Sequence, residues 1–159
     1  MFRMAGFYTM EIRGRVGRAG FRVFTLHGRT ARLATAGEGE GPRIGRYRVH
    51  LAEFEALAVP ELRREDVELL VIDEIGRMEC LSPAFVTAAR AALAARVPVV
   101  GTVALSGGGF IAAAKGFPDV EVIDIGRDDR DRLPLEIVRR LGGEATPASG
   151  TTSARGPPR

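Results

Sequence analysis

An apolar run near the middle of the chain ends abruptly in two acids. The nearly unbroken run from Val67 to Ile72 is followed directly by Asp73 and Glu74. Strands that are apolar at successive positions are buried on both faces, as happens inside a parallel sheet. The run therefore predicts a central strand with two carboxylates at its carboxyl end.

Segments of strand length alternate with segments of helical periodicity along the rest of the chain. Two further buried strands are predicted at Val97 to Leu105 and at Val120 to Ile125. Helices are predicted at Val49 to Leu57 or beyond, Ser82 to Arg96, Phe110 to Lys115 and Leu133 to Leu141. Pro60 is expected to interrupt or kink the first helix. This alternation favours an α/β fold with a mostly parallel sheet.

The N-terminal part of the chain is rich in strand-forming residues separated by glycines. Strands are predicted at Phe7 to Ile12, Phe21 to Leu26 and Arg29 to Ala34, and residues 37–42 are expected to form a loop. Short strands that follow one another with turns between them predict an antiparallel hairpin or meander.

Composition narrows the class of protein. The 159 residues suit one domain, predicted over residues 1–141, and the polar sequence of residues 142–159 predicts a disordered tail. Cys80 is the single cysteine, so no internal disulfide is expected and a cytoplasmic location is predicted. No apolar run approaches the roughly 20 residues of a membrane span. The net charge of +3 comes without a basic stripe interleaved with aromatic residues, so nucleic-acid binding has no support.

The two acids after the apolar run are the strongest candidates for chemistry. In open α/β sheets, ligands bind just beyond the carboxyl ends of the strands. A carboxylate at Asp73 can hold Mg²⁺, which prefers oxygen ligands and keeps several waters. The next acid, Glu74, can orient or deprotonate an attacking water. The alternative is a strand that ends in two solvated acids without a catalytic role.

The string Val71-Ile-Asp-Glu-Ile-Gly-Arg-Met-Glu79 resembles the Walker B region of a small nucleoside-triphosphatase family. That family was first described from thermophiles and includes the animal cancer-related nucleoside-triphosphatase. Further segments resemble the family in the same order along the chain, so that the resemblance covers Gly6 to Leu141. These segments are Gly6-Phe-Tyr-Thr9, Gly20-Phe21, Thr25-Leu26, Gly45 to Val49, Phe54 to Pro60, Gly101-Thr102 and Asp129-Arg130.

The resemblance implies a fold, an activity and a set of site residues. The fold is an α/β P-loop NTPase sheet of the RecA-like kind with an antiparallel meander near the N-terminus. The activity is Mg²⁺-dependent hydrolysis of ATP, GTP and other nucleoside triphosphates by a monomer. By resemblance, Asp73 binds the metal and Glu74 is the catalytic acid that polarises water. Gly76 and Arg77 would shape the loop over the nucleotide, and Arg130 would contact the nucleotide.

The sequence departs from the family pattern at two places. Asp129 stands where the family usually carries a neutral asparagine. No match to G-x-x-x-x-G-K-[ST], whose glycines, lysine and hydroxyl cradle phosphate and magnesium, occurs in the sequence. The expectation is that the family's first strand, phosphate loop and first helix are missing, and that hydrolysis by this chain is impaired. The nearest imitation, Gly109 to Gly116, lacks the second glycine and the hydroxyl, and its alanines favour a helix.

Two other functions stay open from the residues alone. A kinase that passes the phosphoryl group to a nucleotide or to a nucleic-acid end uses similar acids on a substrate hydroxyl. A non-catalytic nucleotide-binding or scaffolding relic keeps the fold without turnover.

Overall fold

The computed structural model describes residues 3–142 of the chain. These residues fall into two compact units, one within Met1–Glu121 and the other beginning at Val122. The predicted tail at residues 142–159 lies outside the described residues except for Gly142. Within residues 3–142, no helix combines the length and the apolar composition that crossing a membrane requires.

Seven strands and four α-helices make up the regular structure of the described residues. The strands are β1 (Met4–Arg13), β2 (Arg18–Thr25), β3 (Thr30–Ala36), β4 (Arg43–Ile44), β5 (Tyr47–Val49), β6 (Leu69–Ile75) and β7 (Val99–Val103). The helices are α1 (Leu51–Leu62), α2 (Pro83–Ala94), α3 (Phe110–Lys115) and α4 (Leu133–Arg140). Two single 3₁₀ turns, Glu79–Leu81 and Arg127–Asp129, precede α2 and α4.

The strands form one sheet in the order β4-β5-β3-β2-β1-β6-β7. The central strand β6 runs parallel to both of its neighbours, with Leu70 opposite Ala5 of β1 and opposite Val99 of β7. Strands β1, β2, β3 and β5 pair antiparallel, which is the predicted meander. The predicted α/β class, with a parallel core and antiparallel N-terminal strands, is confirmed. The parallel pairs bring the carboxyl ends of β6 and β7 side by side.

The segment from Val120 to Ile125, predicted to be a third core strand, forms no strand, and this prediction is wrong. Val122, Ile123 and Ile125 are exposed to solvent. The alternating apolar pattern supplies strand propensity, but a strand also needs a neighbour for its backbone hydrogen bonds. No strand of the described sheet pairs with this segment.

The central strand is longer than the apolar run predicts. β6 continues beyond Ile72 as far as Ile75, because β7 still pairs with it at that point, Ile75 lying opposite Val103. Asp73 and Glu74 therefore lie within the last residues of the strand, where Asp73 still pairs with Tyr8 of β1 and the register with β7 shifts.

Helix α1 passes through Pro60, so the predicted interruption there does not occur. Leu57, Ala58, Val59 and Leu62 around the proline are all buried. Burial of these apolar side chains offsets the backbone hydrogen bond that proline cannot make.

The core lies where the sheet meets helices α1 and α2. Phe7 of β1, Phe54 of α1 and Phe85 of α2 are fully buried. Their ring centroids lie 5.5 Å apart for Phe7 and Phe54, 5.9 Å for Phe7 and Phe85, and 5.3 Å for Phe54 and Phe85. Edge-on aromatic contacts of this kind add to the burial of the rings. The three rings therefore pack helices α1 and α2 against the sheet.

Ser82 fixes the start of α2 and ties it to α1. Its Oγ accepts the backbone N–H of Phe85 at 2.9 Å, and Pro83 follows it at the first helical position. The same hydroxyl donates to Oε1 of Glu55 at 2.5 Å. These two hydrogen bonds fix the connection from β6 to α2 at the end where α2 begins.

We expect Phe54→Ala to lower the free energy of unfolding by about 3–5 kcal/mol, because it opens a cavity at the centre of the aromatic cluster. Val16→Ala is the control, since Val16 is 94% exposed and its truncation should change stability by less than about 0.5 kcal/mol. Urea unfolding of both variants measures the difference. A loss for Phe54→Ala no larger than that of the control would contradict this packing.

Candidate active site

Asp73 and Glu74 lie at the carboxyl end of the central parallel strand. On one side Asp73 is in register with Tyr8 of β1. On the other side Thr102 of β7 donates its hydroxyl hydrogen to Oδ1 of Asp73 at 2.5 Å. Both acids are half-buried, and the peptide bond between them is cis. The two acids singled out by the sequence thus lie together at the edge where such sheets bind ligands.

Thr102 is a site residue that sequence reasoning missed. Its hydrogen bond engages one oxygen of Asp73 and restrains the direction of the carboxylate. The signal that points to it is a hydroxyl residue late in the apolar segment predicted at Val97 to Leu105. Because the carboxyl ends of neighbouring parallel strands meet at one edge, a polar side chain there faces the acids of the adjacent strand.

Gly76 is the point at which two carboxylates meet. A Cβ atom at this position would lie 2.6 Å from Oε1 of Glu74 and 2.7 Å from Oε2 of Glu79. The two oxygens occupy the space that any larger residue would fill with its side chain. A glycine at this position therefore allows both acids to approach the backbone of the turn after β6.

Glu79 is almost fully buried, with 3% of its surface exposed. The pKa of its carboxyl is raised to about 7, chiefly by burial and also by the charges of Glu74 and Asp73, while the backbone N–H groups of Glu79 and Gly76 partly counteract the rise. The pKa of Glu74 is also raised, first by burial and then by the charge of Asp73. A carboxylate with a raised pKa is a stronger proton acceptor, which suits Glu74 for a role as a base.

A cavity of about 340 Å³ opens beside Glu74. Its polar lining consists of Thr9, Glu74, Arg77, Glu79 and Ser106, and its apolar lining includes side chains of the antiparallel strands. The structure therefore brings the predicted residues Glu74 and Arg77 to one cavity, where an exposed guanidinium and two acids share the wall. An arginine in such a place can meet a phosphate oxygen with two parallel hydrogen bonds.

Arg130 belongs to the second unit, between the 3₁₀ turn Arg127–Asp129 and helix α4, and it is exposed. Its neighbour Asp129 accepts the N–H of Gly126 at 3.0 Å and a guanidinium N–H of Arg132 at 2.6 Å. The bond from Arg132 and then the bond from Gly126 lower the pKa of Asp129. The acid at position 129 thus closes a local turn. A contact between Arg130 and a nucleotide stays a prediction.

The oxygen atoms at the end of β6 fit a magnesium ion that keeps much of its water. Among residues 3–142, no three or more His, Cys, Asp or Glu side chains form a group that could hold a metal ion by themselves. Mg²⁺ is commonly held by one or two carboxylates together with water and phosphate oxygens. The Asp73 carboxylate, restrained by Thr102 and next to Glu74, is the donor of that kind in this structure.

We expect Gly76→Ala to push both carboxylates away from the turn without unfolding the protein. The atoms that the new methyl group would meet are the ends of two flexible side chains. Moving Glu79 towards water relieves its burial, so its pKa should fall towards the ordinary value near 4.5. Titration of the glutamate carboxyl carbons by NMR measures this change. Gly108→Ala is the matched control, because a Cβ atom at Gly108 meets nothing within 4 Å. An unchanged Glu79 titration in Gly76→Ala would contradict the geometry.

We expect Glu79→Gln to raise the free energy of unfolding at pH 8 but not at pH 4. The unfolded carboxyl ionises near 4.5 and the folded one near 7. As the pH rises between these values the unfolded state loses its proton first, so the wild-type acid costs stability that reaches about 3 kcal/mol above pH 7. Glutamine does not titrate and removes this cost. Urea unfolding of both proteins from pH 4 to pH 8 tests the prediction, and parallel curves would show that Glu79 titrates normally.

The family model described as NTPase matches residues 1–138 of this chain. The chain is 37% identical over 144 residues to the nucleoside-triphosphatase THEP1 of Thermofilum pendens, a match that covers 87% of this chain and 79% of that protein. It is 35% identical over 148 residues to the human cancer-related nucleoside-triphosphatase, covering 84% of this chain and 78% of the human protein.

The fold is also similar to a solved structure. The crystal structure of THEP1 from the hyperthermophile Aquifex aeolicus superposes with a TM-score of 0.79 at 29% identity, over 87% of this chain and 84% of that one. The resemblance carried by Val71 to Glu79 and the segments around it is thus confirmed over most of the chain. Because the family model spans residues 1–138 and both relatives are more than 30% identical, the chain belongs to this NTPase family.

Proposed function

We propose that this protein hydrolyses nucleoside triphosphates, ATP and GTP among them, to the diphosphate and phosphate in a Mg²⁺-dependent reaction, at a rate reduced by the lack of a match to the phosphate-loop pattern. The observation that carries the proposal is the pair Asp73 and Glu74 at the carboxyl end of β6, with Glu74 opening onto a cavity that Arg77 also lines. The names of the relatives, nucleoside-triphosphatases in each case, support the same reaction.

The two acids have different tasks in this reaction. Glu74 accepts a hydrogen bond from the attacking water and takes its proton as the water oxygen bonds to the terminal phosphorus. The bond between that phosphorus and the bridging oxygen breaks, and the diphosphate leaves with the bonding electrons. The raised pKa of Glu74 favours the proton transfer.

Asp73 is proposed to hold the magnesium ion, with the hydroxyl of Thr102 keeping its carboxylate in place. When bound, Mg²⁺ neutralises charge on the phosphate oxygens, which is the larger part of catalysis in phosphoryl transfer. Gly76 lets the turn carry both acids close to the backbone, and Arg77 supplies a positive charge at the cavity. Arg130 is proposed to contact the nucleotide.

We also propose that the protein acts as a monomer in the cytoplasm. The single cysteine, Cys80, is half-buried, and burial, followed by the charges of Glu79 and Glu74, raises the pKa of its thiol to about 11. Such a thiol is a poor nucleophile. Because a single cysteine forms no internal disulfide, the protein needs no oxidising compartment.

We expect Glu74→Gln to reduce kcat by about 10²–10⁴-fold while the Kd for Mg-nucleotide stays the same, because a base acts in the transition state and not in binding. Glu38→Gln is the matched control, since it makes the same chemical change at an exposed loop position. Steady-state turnover with several nucleoside triphosphates, together with calorimetric binding of a non-hydrolysable analogue, measures both quantities.

The products separate hydrolysis from transfer to another hydroxyl. Phosphate and diphosphate should appear in equal amounts, since water is the proposed acceptor. Diphosphate in excess over phosphate would identify a kinase. Equal turnover by wild type and Glu74→Gln would remove Glu74 from the mechanism.

A further inference from the structure

The cavity beside Glu74 is larger and more apolar than hydrolysis requires. Its volume is about 340 Å³, whereas a water molecule takes up roughly 30 Å³. A bound water also needs roughly two to four polar partners, which apolar side chains do not supply. The proposed reaction therefore accounts for the polar groups of the cavity and leaves most of its space without a task.

An apolar wall forms the part of the cavity that faces the antiparallel strands. It consists of Phe21 in β2, Leu33 in β3, Ile44 in β4 and Met78 in the turn after β6. Leu33 belongs to the buried core, and the other three side chains pack against that core. The ring of Phe21 also meets the ring of Tyr47 edge-on, with 5.3 Å between their centroids. The apolar wall is therefore formed without any ligand.

This lining favours a ring compound over a phosphate group. Apolar ligand surface gains free energy when it leaves water for such a wall. A phosphate group placed there would lose its hydration without gaining a hydrogen bond. Small-molecule sites commonly add a few polar groups that orient the ligand, and here Thr9, Ser106 and Glu74 are available. The cavity thus fits a small ring compound that also carries a hydroxyl group.

The base of the nucleoside triphosphate itself does not suit this place. In that molecule the sugar and two further phosphates separate the base from the terminal phosphate. With the terminal phosphate at Glu74, a base in the same cavity would require the chain to fold back on itself. The ring compound is therefore a second molecule. Because Glu74 and Glu79 both line the cavity, an uncharged molecule suits it better than an anion.

We propose that this cavity binds an uncharged nucleoside as an alternative acceptor, so that the protein transfers the terminal phosphoryl group to a nucleoside hydroxyl as well as to water. The proposal rests on the proposed role of Glu74 as the base. The hydroxyl oxygen bonds to the terminal phosphorus while Glu74 takes the hydroxyl proton. The bond between that phosphorus and the bridging oxygen breaks, and the diphosphate leaves with the bonding electrons. Without a nucleoside, water takes the place of the hydroxyl.

Binding of a nucleoside can be measured without turnover. Adenosine is the probe, since it carries a base and hydroxyl groups but no phosphate. We expect adenosine to shift the methyl NMR signals of Ile44 and to leave those of Ile12 unchanged. Glu11 lies opposite Phe21, so Ile12 points to the other face of the sheet. The same shift should occur when a non-hydrolysable analogue of Mg-GTP saturates the protein, because donor and acceptor occupy different places.

A pair of matched variants tests the location of the site. Ile44→Ala removes part of the apolar wall, and Ile12→Ala makes the same change at another half-buried strand position. We expect Ile44→Ala to raise the Kd for adenosine about tenfold, as is typical when a binding pocket loses an apolar group. Ile12→Ala should bind adenosine like wild type. If Ile44→Ala does not fold, the Ile44 signals of the wild-type protein still decide where adenosine binds.

The reaction products test the transfer itself. With GTP and adenosine together, diphosphate should exceed phosphate, and the excess should equal the adenosine monophosphate that is formed. With GTP alone, diphosphate and phosphate should be equal. Adenosine monophosphate supplied in place of adenosine should give a smaller excess, because its charge is opposed by the acids of the cavity.

Each result decides a different point. Unshifted Ile44 signals, displacement of adenosine by the GTP analogue, or a wild-type Kd in Ile44→Ala would overturn the proposed site. An equal excess with adenosine monophosphate would overturn the preference for an uncharged acceptor. Release of phosphate without phosphorylated adenosine would overturn the transfer and leave the proposed hydrolysis intact. No turnover of GTP with or without adenosine would overturn the proposed function, and the transfer with it.

Discussion

The position of β6 between two parallel neighbours is the constraint on which the site depends. β1 and β7 both pair with it, so the end of β6 cannot move without breaking hydrogen bonds on both sides. The register of β6 with β7 shifts between Ile72 and Ile75, and within this irregular stretch the Thr102 hydroxyl donates to Oδ1 of Asp73 at 2.5 Å. The aromatic cluster of Phe7, Phe54 and Phe85 packs β1 against α1 and α2. Phe7 lies opposite Ile72, the residue before Asp73, so the packed core lies close to both acids.

Around the turn after β6, ionisable carboxyl groups lie where burial disfavours their charged form. Glu74 and Glu79 are both placed where desolvation raises the pKa of a carboxyl, and the charge of Glu74 also raises the pKa of Glu79. A fold gains no stability from acids in such surroundings. Their burial is compatible with a folded chain because Gly76, which has no side chain, gives room to both acids. Strained arrangements of polar groups of this kind are typical of sites where chemistry takes place.

Much of this arrangement follows from the sequence, and the exceptions have physical reasons. The apolar run from Val67 to Ile72 identifies the central strand because burial on both faces leaves a pattern in the residues themselves. Asp73 and Glu74 are found for the same reason, since they end that pattern. The strand predicted at Val120 to Ile125 fails because local pattern reports propensity and not the presence of a neighbouring strand. Thr102 escapes because its contact with Asp73, 29 positions away, runs through atoms whose direction no periodicity encodes. Glu79 belongs to the string that resembles the Walker B region, but no periodicity predicts that its side chain is buried against Gly76.

The charges around these acids do not stabilise the fold, and they are compatible with the proposal that the acids bind a charged ligand. The charge of Asp73 raises the pKa of both Glu74 and Glu79, so it disfavours the ionised form of each. A positive charge placed among them reverses each of these effects, because attraction to a cation favours the ionised form that mutual repulsion disfavours. Arg77 also lines the cavity, but it is exposed at the rim, where solvent screens the charge of its guanidinium. The interior of the site is therefore negative and its rim is positive, which matches a ligand that carries a metal ion inward and phosphate oxygens at its margin.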